Sequence, residues 1–380
     1  MKVKLESFLQ EVSEKTTENN QYPVLTSSKA GLYLQSDYFN KQVASKDNTG
    51  YKIIKRGQFT YRAMSDTGEF FPNMLDCTDI GIVSPAYPVF EIAKPIVIPE
   101  FLKYYFKSNG FQQSIASFAQ GSTRTSIKYG KLKTVLMELP DLKEQQRHVE
   151  ILDTAQRIIN DRKKEIEKLD DLIKARFVEL FGTLDNPSQE FAKASLKELC
   201  NKITDGKHGG CKAEEGTERY FVGAREIFDD KVHYDTAPEI NIEEFEKDYK
   251  RCNIEIGDFL IVNTGATIGK SAIATDERTE HTLLQKSVAL LKVKKDVLNP
   301  VFLKWCYRVN TQMYIVESAS AQPNLLLSKI NTTVIYVPDI ELQNQFAAFV
   351  EQVDKSKVVA QQMLDEAQKL FDSLMQEYFG

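Results

Sequence analysis

The sequence has few of the residues that usually carry metal binding or catalysis. Its five cysteines are scattered without a CxxC pair, and it has only four histidines. This pattern argues against a zinc site and favours free thiols in a reducing compartment. The apolar runs are far shorter than a membrane span, and the first residues, MKVKLESFLQEVSEK, lack a signal-peptide core. We therefore expect a cytoplasmic protein.

A phosphate-binding loop is also missing, although one stretch comes close to it. Residues 264–271 read TGATIGKS, whereas a phosphate-cradling loop needs GxxxxGK[ST] between a strand and a helix. Its first Gly would have to stand at position 264, which is Thr, and the SAIATDE that follows is typical of a strand and a turn. We predict a turn between two strands that exposes Thr264, Thr267 and Lys270.

Motifs for DNA chemistry are missing as well. An adenine methyltransferase needs a Pro-Pro-aromatic motif and a Gly-rich cofactor loop, but residues 84–87 (SPAY) and 186–188 (NPS) lack the second Pro and the aromatic residue in position. A metal-dependent nuclease needs an Asp and an ExK pair on neighbouring strands, whereas the Pro-Asp pairs at 140 and 338 begin long helical patterns. No Ser/His/Asp grouping is visible either. We expect a chain without catalytic residues, bound cofactor or metal.

The sequence does contain two copies of one long segment. Residues 140–182 and 338–380 align at a constant offset of 198 without a gap, with seven of 43 positions identical. Each copy opens on Pro-Asp, a helix start signal, and closes on Gly, a helix stop signal. The boundary residues therefore repeat while the middle differs.

Apolar residues recur at spacings of three and four inside both copies, which predicts two long helices. The predicted apolar stripes are Val149, Leu152, Ile159, Ile166, Ile173, Phe177 and Leu180 in the first, and Phe346, Phe349, Val353, Met363, Leu364, Leu370, Leu374 and Tyr378 in the second. About 38 residues at about 1.5 Å each give a rod of roughly 57 Å. Because such helices are stabilised mainly by packing of the stripe, we predict an antiparallel pair. The alternative is that they are core helices of two separate domains.

The segments between the helices repeat more loosely. KLESFLQEVSEKT near the start matches ASLKELCNKITDG in pattern, KRGQF at 55–59 matches EIGDF at 255–259, and FLKY at 101–104 matches FLKW at 302–305. The offset is 201 at FLKY/FLKW and returns to 198 at Arg124/Gln322 and Lys131/Lys329, a change that a single three-residue deletion in a loop explains. The chain therefore reads as a duplicated unit of about 190 residues, within the usual size of a domain.

Each globule reads as mixed α/β, so the predicted fold class is α+β with a pseudo-two-fold internal repeat. Strand candidates are residues 81–91, 220–224, 259–263 and 287–292, and short helices are predicted at 100–108 and 300–309. The predicted boundaries are 1–139 for the first globule, 140–182 for the first long helix, 183–337 for the second globule and 338–380 for the second long helix.

The net charge of −5 on its face disfavours a nucleic-acid partner. Counted by segment, the first globule carries +4, the first long helix −1, the second globule −3 and the last helix −5. The last helix is therefore the acidic element, which makes it a poor phosphate surface and a plausible protein-binding one.

Polar and aromatic residues in predicted loops and strand ends are the remaining candidates for a binding surface. Arg, Gln and Asn can read base edges, while Lys, Ser and Thr can hold phosphate. The candidates are Lys29, Tyr33, Gln35, Arg62, Tyr87, Ser122, Thr123 and Arg124 in the first globule, and Lys207, His208, Arg225, Thr264, Thr267, Lys270, Gln285, Lys286, Gln322 and Asn324 in the second. Taken singly, each is more commonly a solvated surface side chain. QGSTRTS at 120–126 is a stronger signal, since SASAQPN at 318–324 stands at the equivalent place.

These blocks together resemble the specificity (S) subunits of type I restriction-modification systems. The resemblance is carried by the two Pro-Asp to Phe-Gly blocks, GDFLIVNTGATIGKSAIA at 257–274, YFVGAREI at 220–227, GIVSPAYPVF at 81–90 and GSTR at 121–124. It implies two target-recognition domains, at 1–139 and 183–337, each reading half of a split DNA sequence. It also implies that the helices at 140–182 and 338–380 form a coiled-coil spacer between them.

The same resemblance implies partners. These are double-stranded DNA, two methyltransferase subunits that carry S-adenosylmethionine, and restriction subunits that use ATP and magnesium, with no cofactor on this chain. The globules differ strongly, so the resemblance implies an asymmetric target. Half-sites in adjacent major grooves lie about 34 Å apart, which a rod of roughly 57 Å is long enough to span. Two other classes stay open: a duplicated coiled-coil scaffold that binds proteins and no DNA, and the detached recognition part of a single-chain restriction enzyme.

Overall fold

The fold is known from a computed structural model that describes residues 1–38, 46–118, 125–315 and 324–380. In the first repeat the strands are β1 (Lys2–Lys4), β2 (Leu9–Val12), β3 (Leu25–Ser27), β4 (Leu32–Leu34), β5 (Lys52–Lys55), β6 (Phe59–Thr60), β7 (Met64–Ser65), β8 (Asn73–Met74), β9 (Ile80–Val83), β10 (Val89–Ile92), β11 (Thr125–Ser126) and β12 (Leu136–Glu138). Its helices are α1 (Gln35–Tyr38), α2 (Pro99–Tyr105), α3 (Asn109–Ala116), α4 (Tyr129–Leu132) and the long α5 (Leu142–Phe181), with a 3₁₀ turn at Leu5–Ser7.

The second repeat follows the same plan. Its strands are β13 (Ala192–Ser195), β14 (Cys200–Asp205), β15 (Tyr220–Val222), β16 (Ile227–Phe228), β17 (Lys231–Val232), β18 (Phe259–Val262), β19 (Ser271–Ile273), β20 (Thr282–Leu284), β21 (Val288–Val293) and β22 (Val334–Val337). Its helices are α6 (Leu196–Leu199), α7 (Ile242–Tyr249), α8 (Pro300–Val309), α9 (Leu327–Thr332) and the long α10 (Ile340–Phe379), with 3₁₀ turns at Tyr234–Thr236, Glu277–His281 and Thr311–Met313. In the described residues, no helix is both long enough and apolar enough to cross a membrane.

Strand pairing confirms the internal repeat. Each repeat has an antiparallel four-stranded sheet, in the order β2-β10-β6-β8 in the first and β14-β21-β18-β19 in the second. In each, the strand that opens the repeat pairs with the one before the long helix, β1 with β12 and β13 with β22. The fold class is therefore α+β with a duplicated frame, as the sequence predicts.

The repeated turn that the sequence predicts at KRGQF and EIGDF is also present. Gly57 has φ of 85° and Gly257 has φ of 95°, a left-handed conformation in which other residues are strained. In each turn the side chain of the residue after the Gly accepts a hydrogen bond from the backbone N–H two residues before the Gly. Lys55 N–H donates to Gln58 Oε1 at 2.8 Å, and Glu255 N–H donates to Asp258 Oδ2 at 2.8 Å. The same turn therefore leads into β6 and into β18.

Two compact units divide the chain, and both long helices contribute to each unit. Unit 1 is Met1–Lys163 with Gln362–Gly380, and unit 2 is Lys164–Gln361. The divisions fall at equivalent positions of the two helices, since Lys163 and Gln361 correspond at the 198-residue offset. The start of one long helix therefore belongs with the end of the other in each unit.

Packing inside each unit shows that the two long helices run antiparallel. In unit 1 the core includes Val149 and Leu152 from the start of α5 together with Phe379 at the end of α10. In unit 2 it includes Phe177 at the end of α5 and Phe346 at the start of α10, whose ring centroids lie 5.4 Å apart. These contacts confirm the predicted antiparallel pair.

The central sheet of unit 2 is buried on both faces. Phe259 and Ile261 of β18 pack against α8 and the long helices, whereas Leu260 and Val262 point into a second cluster on the opposite face. Because side chains alternate along a strand, this double burial explains why β18 is apolar throughout. The sheet is thus held between two cores.

Three details differ from the sequence prediction. Residues 81–91 form two strands, β9 and β10, because Pro85 and Pro88 cannot donate ladder hydrogen bonds in the turn between them. Helix α2 ends at Tyr105, before the predicted 108, and Ser108 caps α3 instead. The assignment of Met363 and Leu370 to the buried stripe was wrong.

The exposure of those two side chains follows from helical phase. Met363 is 44% and Leu370 is 56% exposed, whereas Val353 and Ala360 are buried. At about 100° per residue, Met363 and Leu370 point about 80° and 100° away from Val353, while Ala360 and Leu364 lie within about 20° of it. The buried stripe of α10 therefore uses alanine where the sequence suggested methionine.

His148 occupies, in unit 1, the position that Phe346 occupies in unit 2. Its ring stacks on Tyr378 with centroids 3.8 Å apart, and Nδ1 is buried without a hydrogen-bond partner among the described residues. Burial lowers the pKa of His148, an effect that Glu144 and Glu377 oppose and Arg147 reinforces. Stacking in this aromatic slot therefore favours the neutral form of the imidazole.

We expect His148→Phe to make unit 1 less sensitive to acid. Since the folded pKa lies below that of the unfolded chain, the unfolded state binds the proton more readily, and stability falls as pH drops below about 6.5. The variant should lose this part of the pH dependence, measured by hydrogen exchange of the α5 and α2 amides across that range. Phe346→His should make unit 2 acid-sensitive. An unchanged pH dependence in both variants would contradict this account.

Candidate functional site

Five of the ten sequence candidates of the second repeat meet at one open pocket. A concavity of about 390 Å³ is lined by Lys207, Gly209, Thr264, Gln285, Lys286, Ser287 and Asn324. A second one of about 310 Å³ shares Lys286 and Asn324 with it and adds Asp205, Asn263 and residues 325–328. Five sequence candidates, spread over 118 positions of the chain from Lys207 to Asn324, are thus brought together.

The β18–β19 hairpin supplies one wall of this pocket. β18 pairs with β19 through Phe259↔Ile273, and residues 264–270 lie in the turn between them, as predicted. Lys270 is exposed as expected, whereas Thr264 and Thr267 are half-buried. Thr264 is bridged to Asn324, with Thr264 Oγ1 3.2 Å from Asn324 Oδ1, and Leu325 N–H donates to Asn263 O at 2.7 Å. No helix follows Lys270 in this described stretch, so the stretch is a strand turn and not a phosphate-binding loop.

The segment ahead of the central strand β21 supplies the floor. Lys207 N–H donates to Leu284 O at 2.7 Å, and Lys286 N–H donates to Lys207 O at 3.0 Å. The Gln285 side chain lies so close to Gly223 that a Cβ there would be 2.3 Å from its Oε1. A larger residue at 223 would therefore displace Gln285 from the pocket.

The basic side chains around the pocket fall into two groups by their partners. Lys207 Nζ lies 2.7 Å from Asp248 and 3.3 Å from Glu244, and the hydrogen bond to Asp248 raises the pKa of this ammonium group. Lys286 lines both concavities and has no ion-pair partner among the residues that the structure describes. Lys207 is therefore held by the fold, whereas the charge of Lys286 is available to a ligand.

The remaining charged candidates of this repeat divide in the same way. His208 Nε2 is 3.4 Å from Asp205, whose carboxylate also accepts a hydrogen bond from Arg251. Arg225 and Lys270 are exposed, in the loop between β15 and β16 and in the hairpin turn, with no ion pair in the described part of the chain. Among the basic candidates of the second repeat, Arg225, Lys270 and Lys286 are thus the ones without an ion pair to the described residues, and their charge is available to an anionic ligand.

In the first repeat the candidates lie around the β3–β4 hairpin and the strands beside it. Lys29 Nζ lies 3.2 Å from Glu69 and 5.3 Å from the Phe71 ring centroid, and Arg62 is 3.6 Å from Asp66. Tyr87, in the turn between β9 and β10, is half-buried, and burial raises the pKa of its hydroxyl while nearby Arg62 opposes that change. Tyr33 is the exposed residue of β4, and Gln35 begins α1.

Four candidates, Ser122, Thr123, Arg124 and Gln322, lie outside the described residues. The chain that follows these two gaps is anchored in equivalent ways. β11 pairs with β7 through Ser126↔Met64 in the first repeat, and Asn324 is bridged to Thr264 in the second. The described residues that follow the two gaps, at Ser126 and Asn324, are therefore held at equivalent positions of the two repeats, as the predicted equivalence requires.

Sequence reasoning missed several residues that shape the pocket. Ser287 Oγ accepts from Ala224 N–H at 3.1 Å, and Arg251 Nε donates to the carbonyls of Asp205 and Gly206 at 3.0 and 2.9 Å. Neither Ser287 nor Arg251 stands in a motif, and Arg251 reaches a strand more than 40 positions earlier. Only the tertiary fold assigns these residues to the site.

Comparison with known proteins gives a consistent result. The chain matches the family model of the type I restriction modification DNA specificity domain over residues 6–168 and 188–367. Its fold is similar to that of a chain from a structural study of complex assembly and conformational transition of the type I R-M system. The two chains are 16% identical with a TM-score of 0.60, and the match covers 100% of this chain and 97% of that one.

A second solved structure has the same fold. The S subunit of a type I restriction-modification system from M. genitalium has 15% identity and a TM-score of 0.54, with coverage of 100% of this chain and 96% of that one. No curated protein matches the chain. At these identities the structural likeness establishes the fold, and the family match extends over both repeats.

Proposed function

Because the chain belongs to the family of the type I restriction modification DNA specificity domain, we propose that it binds a bipartite, asymmetric DNA target and positions methyltransferase and restriction subunits on it. In this function residues 1–139 and 183–337 are the two target-recognition domains, and 140–182 and 338–380 are the spacer helices. In this proposal the chain recognises the DNA sequence, and its partner subunits carry out methylation and cleavage.

The observation that carries this proposal is one frame built twice with different polar side chains at equivalent places. Both repeats have the same four-stranded order, but the described surface of the first carries Arg62 and Tyr87 where that of the second carries Thr264, Gln285 and Lys286. Side chains of these types hydrogen-bond base edges and phosphates. Two equal frames with unequal surfaces favour two half-sites of different sequence.

The same family membership supports a proposal for the partners. We propose double-stranded DNA, two methyltransferase subunits and restriction subunits, with S-adenosylmethionine, ATP and magnesium bound by those subunits and not by this chain. Free cations at Arg225, Lys270 and Lys286 would contact phosphate, which requires only a local basic surface despite the net charge of −5.

A methylome comparison tests this function. The chain is expressed with its methyltransferase subunits, and N6-methyladenine is mapped by sequencing with the chain present and deleted. We expect one split, non-palindromic motif that disappears on deletion. Persistence of the same motif without the chain would exclude DNA recognition, and a complex that forms but methylates no motif would favour the protein-binding scaffold.

Within the pocket we expect Lys286→Gln to weaken DNA binding more than Lys207→Gln. Removal of one phosphate contact should lower the slope of log affinity against log salt by about 1. Lys207 is already neutralised by Asp248 and Glu244, so its substitution should leave the salt slope nearly unchanged. Binding of the complex to target DNA, titrated at several salt concentrations, measures both. Equal slope changes in the two variants would contradict the assignment.

A further inference from the structure

Gln145 is a fully buried side chain at the start of α5 whose amide uses both of its N–H donors and its carbonyl oxygen. Its Oε1 accepts from Ile98 N–H at 2.9 Å, and its Nε2 donates to Ile96 O at 3.0 Å and to Pro140 O at 2.9 Å. Ile98 caps helix α2, and Pro140 stands just before α5. One amide therefore ties the start of the long helix to the start of α2.

Gln343 makes the same three bonds in the second repeat. Its Oε1 accepts from Asn299 N–H at 2.9 Å, and its Nε2 donates to Val297 O at 3.0 Å and to Pro338 O at 2.7 Å. Asn299 caps α8, and Gln343 is also fully buried. We call each set of three bonds a glutamine clamp.

The chemistry of the clamp needs glutamine. The side chain must present one acceptor and two donors at the end of two methylenes, and glutamine is the amide of that length. Glutamate would lose both donors, and methionine would fill the space but leave one N–H and two carbonyls unpaired, which is costly in a buried site. This agrees with Gln145/Gln343 being one of only seven identical positions in the 43-residue alignment.

In each repeat the clamp stands at one end of the central strand, and candidate recognition residues stand at the other. In unit 2, Gln285 and Lys286 come just before β21, and the clamped residues Val297 and Asn299 follow it. In unit 1, Tyr87 comes just before β10, and Ile96 and Ile98 follow it. The strand therefore connects the recognition surface to the helix within the same unit.

The length of this connection makes a small rotation at the clamp important. In unit 2 the six residues of β21 at about 3.3 Å each span about 20 Å, so a tilt of about 10° moves the far end by about 3.5 Å. The four residues of β10 in unit 1 span about 13 Å, and the same tilt moves their end by about 2.3 Å. The shift in unit 2 is close to the base-pair rise of about 3.4 Å. A clamp that allows this tilt would therefore let the position of the bound half-site vary by about one base pair.

We propose that Gln145 and Gln343 are positioning residues that set how strictly the complex measures the spacing between its two half-sites. The inference rests on the proposed bipartite recognition. The clamps hold each recognition surface at a fixed angle to the long helices, and the polar residues around the pocket select the bases.

The test uses the complete complex with methyltransferase subunits. Gln145→Met and Gln343→Met are compared with the matched controls Gln146→Met and Gln345→Met, which are neighbouring exposed glutamines. Methylation rates are measured on DNA in which the half-sites are one base pair closer, at the native spacing and one base pair further apart. Ile98→Pro is a second variant, since it removes the N–H that donates to Gln145 at a backbone φ of −82° that proline accepts. Ile98→Ala is its control, because it removes the same partly buried side chain and keeps the N–H.

We expect the ratio of native to altered-spacing rates to fall about tenfold or more in the clamp variants and Ile98→Pro, with unchanged half-site bases and unchanged ratios in the controls. Unchanged ratios in clamp variants that assemble would overturn the inference. If the methionine variants do not assemble, the Ile98→Pro ratio decides in the same way. A wild-type complex without a split target would instead refute the proposed function, so the two failures are distinguishable.

Discussion

Phe177→Ala is expected to destabilise unit 2 by about 3–5 kcal/mol, as is usual for truncation of a fully buried aromatic residue. The Phe177 ring lies at the end of α5, where its centroid is 5.5 Å from Phe302, 5.4 Å from Phe346 and 5.0 Å from Phe181. The substitution would leave a cavity between both long helices and α8. That junction cannot close the cavity without moving a helix.

Tryptophan fluorescence measures this loss in unit 2 alone. Trp305 is the single tryptophan of the chain, is 3% exposed, and has its ring centroid 6.4 Å from that of Phe346 in the same core. Denaturant titrations followed by this signal should show a much lower midpoint for Phe177→Ala. The control is Leu172→Ala on the same helix, where the side chain is 49% exposed and the change should stay within about 0.5 kcal/mol. Similar losses in the two variants would show that the junction is not the main core of unit 2.

The long helices could be predicted from sequence because their signals are local. Pro-Asp, the closing Gly and the apolar period all lie within the segment they describe, and Gly182 has the φ of 72° expected of a helix stop. The error at Met363 and Leu370 has the same origin. Both side chains are apolar, which predicts core residues, but the partner helix packs against a different face of α10.

Strand pairing and the state of each candidate charge were beyond prediction because they depend on distant residues. β10 pairs with β2 almost 80 positions earlier, and neither strand has a motif that names its partner. Lys207 and Lys286 look alike in sequence, yet only Lys207 meets Glu244 and Asp248, which lie about 40 positions away. A surface lysine therefore cannot be classified as paired or free before the fold is known.

The glutamine clamp lies between these two cases. The identity of Gln145 and Gln343 is visible in the aligned helices, but their partners at Ile98 and Asn299 are 47 and 44 residues away. Duplication helped here, since a polar residue retained in both copies at a helix start must satisfy the same partners twice. An identical buried amide in two diverged repeats is a signal that sequence analysis could use.

Insertion of one helical turn in both long helices is expected to lengthen the unread spacer of the target by about two base pairs, because four residues add about 6 Å and a base pair rises about 3.4 Å. The insertion points are between Lys163 and Lys164 and between Gln361 and Gln362, where the two compact units divide. Insertion there leaves the cores of both units unchanged. Both half-site sequences should therefore be retained in the methylome.

Two matched variants separate a length effect from a loss of packing. Alanine substitution of Lys163, Lys164, Gln361 and Gln362 changes these exposed positions without changing length, and the native spacer should persist. Insertion into α5 alone shifts one apolar stripe against the other, so that antiparallel packing and methylation should both be lost. A double insertion that changes the half-site bases, or that keeps the native spacer, would refute the role of the helices as a length standard. Since each helix contributes to both units, only paired insertions preserve the contacts that hold each recognition surface.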